Sequence, residues 1–451
     1  MTTLETPPAD TLPWWMRNNY APVHEEVTVT GLTVEGAIPS DLDGLFVRNG
    51  ANPKADPTFH WFLGDGMLHG MRLRDGEVSW YRNRYVRTKV HAGADRMAAE
   101  NILDKSISTA NTHVVGHAGN LWCLEEGAFP TLVTRELETI GTNNFGGKLT
   151  TSFTAHPKVC PETGEMLAFG YDMLPPYLVY HRIDAAGNLL QSETIEVPGP
   201  TMHHDFAATR NHVIFMDLPV VFDLERAMAG DLPFGWSDPY GARLGVMPRN
   251  GTNADVRWYD IDPCYVFHTM NAYEDAQGRI VMDAGRHASM WNGGPDKFEP
   301  CVQFRWTLDP KTGKVSETAV DDVSQAFPRI DDRRAGLSYQ YGYVQSARGG
   351  STDINGDSML SKYDVTTGTR VDHDFGPGVQ CGEPVFVPTA NSKAEDDGYV
   401  MTYVYDKAAD RAKFVVLAAQ DITAAPLATV TLPTRVPHGF HGSWVDDKAL
   451  R

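Results

Sequence analysis

Short apolar runs separated by turn-forming words repeat along almost the whole chain. The runs are four to seven residues rich in Val, Ile, Leu, Tyr or Phe, as in EVTVTGLTVEG (26–36), GMLHGMRLRDGEVSWYRNRYV (66–86), LVYHRIDAAGNLLQSETIEV (178–197) and FRWTLDPKTGKVSETAV (304–320). The words RDGE, DAAGN and DPKTGK put Asp, Asn and Gly where hairpins need dihedrals that other residues resist. KYDVTTGT (362–369) and VYDKAADRAKFVVLAAQD (404–421) continue the pattern, and AEDDG (394–398) reads as a polar surface loop. Helical patterns are few. LERAMAGDL (224–232) and DRMAAENIL (95–103) are short candidates, neither long enough to cross over a parallel sheet.

Many short strands with closely spaced turns predict an all-β barrel, sandwich or propeller. With no linker and no shift in composition, a single β-propeller is the expected architecture, although its repeat is too degenerate to count blades. Residues 1–20, polar and proline-bearing, are read as an N-terminal arm, and 21–451 as one propeller domain. The chain has 451 residues, 42% hydrophobic and 10% aromatic, enough to bury a large core.

The net charge of −19 repels phosphate backbones and anionic lipid, so no nucleic-acid partner is expected. Five widely spaced cysteines without a CxxC pair argue against a disulfide framework or a zinc site and fit a reducing compartment. The opening MTTLETPPADTLPWW carries acids and prolines where a signal peptide needs a basic and then an apolar run. A soluble, cytoplasmic protein with no obligate protein partner is expected.

Four of the 16 histidines stand out by context. His156 lies in TAHPKVCPETGE, His204 in TMHHDFAAT after a proline-rich approach, His268 in YVFHTMNAYE, and His441 in VPHGFHGSWV. Each sits at the edge of an expected strand among small or apolar neighbours. Their spacings of 48, 64 and 173 residues exclude a single helix or hairpin as the scaffold, whereas the strands of a closed propeller converge on one axis. Four neutral imidazoles make a nitrogen-only site suited to Fe, Cu or Zn, and the absence of thiolates favours a catalytic over a structural ion. Strand alternation directs His203 to the opposite face from His204. His60, His69, His113, His117, His287, His373 and His438 receive no partner from the sequence.

A set of ordered segments resembles the carotenoid cleavage oxygenases, non-haem iron enzymes that include stilbene-cleaving and retinoid-isomerising members. They are GLFVRNGANP (44–53), FLGDGMLHGMRL (62–73), TANTHVVGHAGNLWCLEEGAFP (109–130), AHPKVCPETGEMLAFGY (155–171), HDFAAT (204–209), FHTMNAYE (267–274), FPRID (327–331), YQYGY (339–343), GEPVFVP (382–388), EDDGYV (395–400) and GFHGSWV (439–445). The resemblance implies a seven-bladed propeller whose loops and short helices cap an axial Fe(II), held by His156, His204, His268 and His441. It also implies that Glu126 and Glu383 accept the second N–H of ligand imidazoles, which fixes the tautomer and strengthens the ligand. A third such glutamate usually stands directly before FPRI. Here that residue is Ala326, so His268 is expected to turn to water or a backbone carbonyl.

The implied reaction is cleavage of a C=C bond by O₂ to two carbonyl products, with no organic cofactor and no catalytic side chain beyond the metal centre. Asp65 and Gly66 in GDGM suit a supporting turn and are left out of the site. Stilbene- and isoeugenol-cleaving relatives carry a Lys before the first glutamate and a Tyr upstream, which grip a phenol. Glu125 replaces that Lys, and HAGADRMAAENILDK (91–105) contains no Tyr. The expected substrate is therefore an apolar carotenoid or apocarotenoid. A phenylpropene or stilbene is the alternative, followed by an iron-dependent isomerase and a non-catalytic carotenoid-binding propeller. MLPPYLVY (173–180) and DLPVVFDLERAMAGDLPFGW (217–236) suit a tunnel lining or a transient contact with a membrane surface.

Overall fold

Alternate residues of a single strand fill two different cores. In Gly44–Ala51, Leu45 and Val47 join one buried cluster while Phe46 joins another. In Met166–Tyr171, Leu167 and Phe169 face one neighbour and Met166 and Ala168 the other. Strands buried on both faces must be apolar at successive positions, so these segments read as runs and not as simple alternation.

The computed structural model describes residues 12–450 apart from 55–57, 59, 97, 99, 295, 296, 298 and 354. The first eleven residues of the expected arm lie outside the described residues. Residues 12–20 form the turns Trp14–Met16 and Asn18–Tyr20, with Met16, Asn19 and Tyr20 buried.

Seven antiparallel sheets follow one another along the chain as the blades of a propeller. Blade 1 contains Gly44–Ala51, Gly66–Arg74 and Glu77–Tyr85, and blade 2 opens with His113–His117. Blades 3 to 6 open with Lys158–Val159, Ala207–Ala208, Tyr265–Glu274 and Gln325–Ile330, and blade 7 with Val379–Cys381 and Val385–Pro388. The ring is closed twice. The C-terminal strand Gly442–Asp446 pairs with Gly44–Ala51 in blade 1, and the early strand Val34–Gly36 pairs with Ala428–Thr431 in blade 7. Seven hydrophobic clusters occupy the seven gaps between neighbouring blades, including the one between blades 7 and 1. Each buried Leu, Phe or Met contributes about 1.5–3 kcal/mol, so closure is driven by packing along every gap.

The expected hairpins are present. RDGE turns between Gly66–Arg74 and Glu77–Tyr85 with positive φ at both Asp75 (53°) and Gly76 (76°), the dihedrals of a two-residue hairpin. The first helix candidate is shorter than expected. Leu224–Ala229 is capped by Asp223, which accepts from Glu225 and Arg226 N–H, and stops where Gly230 turns left-handed (φ 78°). The second is not a helix: the described residues of 95–103 form turns, held by Asn101, which donates from its N–H to Ala98 and from Nδ2 to the Asp95 carbonyl.

Candidate metal centre

The seven blades each send a residue to the same end of the ring. In blade order these are His441, His113, His156, His204, His268, Phe327 and Glu383. Consecutive rings from His441 to Phe327 stand 5.2, 5.9, 4.6, 5.1 and 5.5 Å apart by centroid, and Phe327 returns to His441 at 5.3 Å.

Local backbone irregularity aims these side chains. His268 lies in Tyr265–Glu274, whose pairing with Ile280–His287 shifts register on both sides of Thr269, as β-bulges beside functional sites do. His441 immediately precedes Gly442–Asp446, held by its N–H on the Thr112 carbonyl (3.1 Å) and its carbonyl on the Asn49 N–H (3.0 Å). His156 precedes Lys158–Val159, its N–H on Thr154 Oγ1 (2.9 Å).

The structure brings His156, His204, His268 and His441 together, one ligand nitrogen from each within 4.8 Å of the others. Nε2 of His204 is 3.1 Å from Nε2 of His156 and 3.3 Å from Nε2 of His268. Imidazole nitrogens bound at about 2.1 Å to one first-row ion lie about 3.0–3.4 Å apart for angles of about 90–109°. The residues therefore fit a single metal ion. Burial, aided by the neighbouring imidazoles, pushes His156 and His268 well below the usual histidine range, so both rings keep their lone pairs. The donor set is four nitrogens with no thiolate or carboxylate, which suits a first-row transition ion.

Two of the four rings carry a carboxylate behind them. Glu126 Oε1 faces His204 Nδ1, and Glu126 Oε2 accepts from the Tyr171 hydroxyl at 2.5 Å. Glu383 Oε1 accepts from His441 Nδ1 at 2.9 Å. Burial opposes ionisation of Glu383, but Arg329 and His441 outweigh it and hold the carboxyl down to about 2. His268 differs: among the described residues neither a carboxylate nor a backbone carbonyl accepts from its Nδ1. Phe327, next to Ala326, stacks on the ring instead at 5.5 Å and 29°.

A cavity of about 650 Å³ opens beside the four histidines. Phe62, Phe234, Phe267, Phe327 and Phe440 are among its walls, and Trp14 reaches it from the N-terminal segment. Leu103, Leu174, Leu224 and Met228 are 60, 53, 62 and 81% exposed and adjoin or lie near the wall residues Ile102, Met173 and Phe222 in the chain. Glu125 is in the wall and bound to Arg96, whose Nη1 reaches both carboxylate oxygens at 2.5 Å. That guanidinium lies over Gly127, where a Cβ would come within 2.0 Å of Nη2. Lys105 and Asp172 form a second ion pair in the wall.

His203 points away from the centre, 3.9 Å from Asp217. His60, His287 and His438 line the cavity, and His113 packs against His156 and His441 with Nδ1 on the Ala155 carbonyl (2.8 Å). Sequence reasoning left these four without a role, as it did Arg96, Tyr171 and Arg329. For His113 a signal existed: it opens the edge strand of its sheet, and the four selected histidines lie in or just before the corresponding edge strands of theirs.

Residues 20–446 match the family described as retinal pigment epithelial membrane protein. The chain is 38% identical to a carotenoid cleavage oxygenase of Mycobacterium tuberculosis over 94% of this chain and 96% of that one. It is 33% identical to a carotenoid 9,10(9',10')-cleavage dioxygenase of Crocus sativus over 97% and 90% of the two chains. Its fold matches the crystal structure of Pseudomonas brassicacearum lignostilbene dioxygenase with a TM-score of 0.87, 30% identity, and 96% and 99% coverage.

Proposed function

From the premise that this chain belongs to the carotenoid cleavage oxygenase family, we propose that it is an Fe(II)-dependent dioxygenase that cleaves a C=C bond of a carotenoid or apocarotenoid. One alkene and one O₂ give two aldehydes, so no reductant is consumed. The observation that carries this reading is the convergence of four imidazole nitrogens on one point beside a large aromatic cavity.

His156, His204, His268 and His441 would hold the ion, and when bound it would supply O₂ activation at positions the four nitrogens leave open. The protein's share is placement and exclusion of water. Glu126 and Glu383 orient His204 and His441 through Nδ1, leaving Nε2 for the ion. Tyr171 satisfies the remaining oxygen of Glu126, and Arg329 with the Gly442 N–H satisfies that of Glu383. Phe267 and Phe327 flank the histidines edge-on and stacked, giving the alkene an apolar surface next to the centre.

The state of Glu125 supports a linear polyene. A lysine there would offer a phenol a cation, whereas this carboxylate is already taken by Arg96. The similarity to a lignostilbene dioxygenase favours cleavage of a phenylpropene or stilbene as the second reading. Exposed Leu174, Leu224 and Met228 near the cavity support transient contact with a membrane surface, the source of an apolar substrate. No helix among the described residues is long and apolar enough to cross a membrane. The five thiols form no disulfide, which supports a cytoplasmic setting.

The test is turnover of iron-reconstituted protein on an apocarotenal and on isoeugenol in parallel. Faster consumption of the apocarotenal, with two aldehydes released, is expected. Vanillin from isoeugenol at the higher kcat/KM would reverse the substrate assignment. Geometric isomers of the polyene without O₂ uptake would make the protein an isomerase, and iron binding without any product a carotenoid-binding propeller.

A further inference from the structure

The strand that carries His268 is broken at the point where it presents that ring. Tyr265–Glu274 shifts register with its neighbour on both sides of Thr269, which stays opposite Ala284 while Phe267, His268 and Met270 fall outside the register. A carboxylate from the adjacent blade holds the strand at this point. Asp205 Oδ2 accepts from the Thr269 N–H at 2.8 Å and from Thr269 Oγ1 at 2.8 Å. Its Oδ1 accepts from the Phe206 N–H at 2.8 Å and pairs with Lys158 Nζ at 2.8 Å.

The chain positions of these groups give the cluster its meaning. Asp205 follows His204, Thr269 follows His268, and Lys158 lies two residues after His156. One carboxylate, 2% exposed, thus ties together the three segments that bear three of the four histidines. Burying a carboxylate is costly unless it is paired and hydrogen-bonded, and this one has three N–H or O–H donors and a cation. Like His156, His268 has no carboxylate on Nδ1 among the described residues, and its neighbour on that side is the stacked ring of Phe327, next to Ala326. Orientation of His268 therefore falls to the backbone beneath it.

We propose that Asp205 is a positioning residue for the metal, fixing the bulge at Thr269 and so aiming His268, in the role that Glu126 and Glu383 fill directly for His204 and His441. This rests on the reading that the four histidines hold an ion. Asp205 touches neither ion nor substrate; it acts through Thr269.

The experiment is a Co(II) titration of metal-free protein, read by d–d absorption and by competition with a chelator, on a cycle of variants. Wild type is expected to take up one Co(II) per chain. Asp205→Asn keeps an acceptor for Thr269 but loses the charge facing Lys158, and should weaken Co(II) by about 10-fold. Ala326→Glu supplies the carboxylate that His268 lacks, and in that background the same change should cost only about 3-fold. Thr269→Val removes one hydrogen bond to Asp205 and should show a smaller loss, again relieved by Ala326→Glu; it decides the matter if Asp205→Asn does not fold. An equal loss in both backgrounds would make Asp205 a support of the fold alone and overturn the proposal, as would unchanged affinity in a folded variant. Wild type that takes up no Co(II) would overturn the four-histidine reading and this inference with it.

Discussion

His441 donates from Nδ1 to Oε1 of Glu383 at 2.9 Å, and Arg329 donates to the other oxygen of the same carboxylate at 3.1 Å. The three residues come from blades 1, 7 and 6, so one hydrogen-bonded unit joins a histidine of the centre to two neighbouring blades. Glu383→Gln keeps the shape but removes the charge that opposes Arg329 and polarises His441. A 10–100-fold loss of metal affinity is expected, with about 3 kcal/mol of unfolding free energy from the less compensated guanidinium. Chelator competition and urea unfolding measure the two effects separately.

Adjacent histidines should behave differently. His204→Ala removes a nitrogen from the centre and is expected to abolish one-per-chain iron retention after desalting. His203→Ala removes a buried ring beside Asp217 and should retain the metal while costing about 2 kcal/mol of stability. Iron analysis of the two purified variants checks this, and equal losses of iron would refute the assignment.

The strands and their turns were legible because backbone chemistry is local: Asp75 and Gly76 specify a tight hairpin wherever the chain goes afterwards. The number of blades was not, because ring closure joins Gly442–Asp446 to Gly44–Ala51 and blade 4 carries the excursion of 218–242. The four central histidines stood out by flanking residues and family resemblance. Arg96 and Lys105 did not, since an ion pair between residues 29 or 67 positions apart leaves no pattern in either segment. The helix read at 95–103 failed for a related reason: the Asn101 side chain satisfies the Asp95 carbonyl in a turn, and Asp104 just beyond the segment accepts from the Ser106 N–H.

The Arg96–Glu125 pair makes a prediction about substrate choice. The double variant Arg96→Tyr with Glu125→Lys replaces a closed ion pair by a phenol and a cation in the same wall. Its kcat/KM for isoeugenol is expected to rise at least about 10-fold, one good charge-assisted hydrogen bond, and that for an apocarotenal to fall. Unchanged ratios would mean that this wall does not meet the substrate end.

Acid stability reports a contact remote from the centre. Glu274 joins blade 5 to blade 4, accepting from His212 Nδ1 at 2.8 Å, Thr209 Oγ1 at 2.5 Å and Asn211 Nδ2 at 2.6 Å. Burial would raise its carboxyl, but these hydrogen bonds outweigh burial and lower it from 4.5 to about 2. A depressed folded-state value stabilises the fold above the unfolded value, and the contribution is lost as pH falls from about 4.5 towards 2. Glu274→Gln should therefore be less stable than wild type at pH 7, on the order of 2 kcal/mol, and the gap should close by pH 2. Urea unfolding at several pH values follows it, and a gap that stays constant would contradict the account.

The central claim is that the four histidines would hold an iron and that the protein so loaded cleaves one double bond with both atoms of O₂. Anaerobic loading with Fe(II), exposure to ¹⁸O₂ with an apocarotenal, and mass spectrometry of trapped products test it most directly. The account predicts two aldehydes, each carrying one ¹⁸O, from wild type and neither from His204→Ala. Label in only one product, or aldehydes formed at the wild-type rate by His204→Ala, would contradict it.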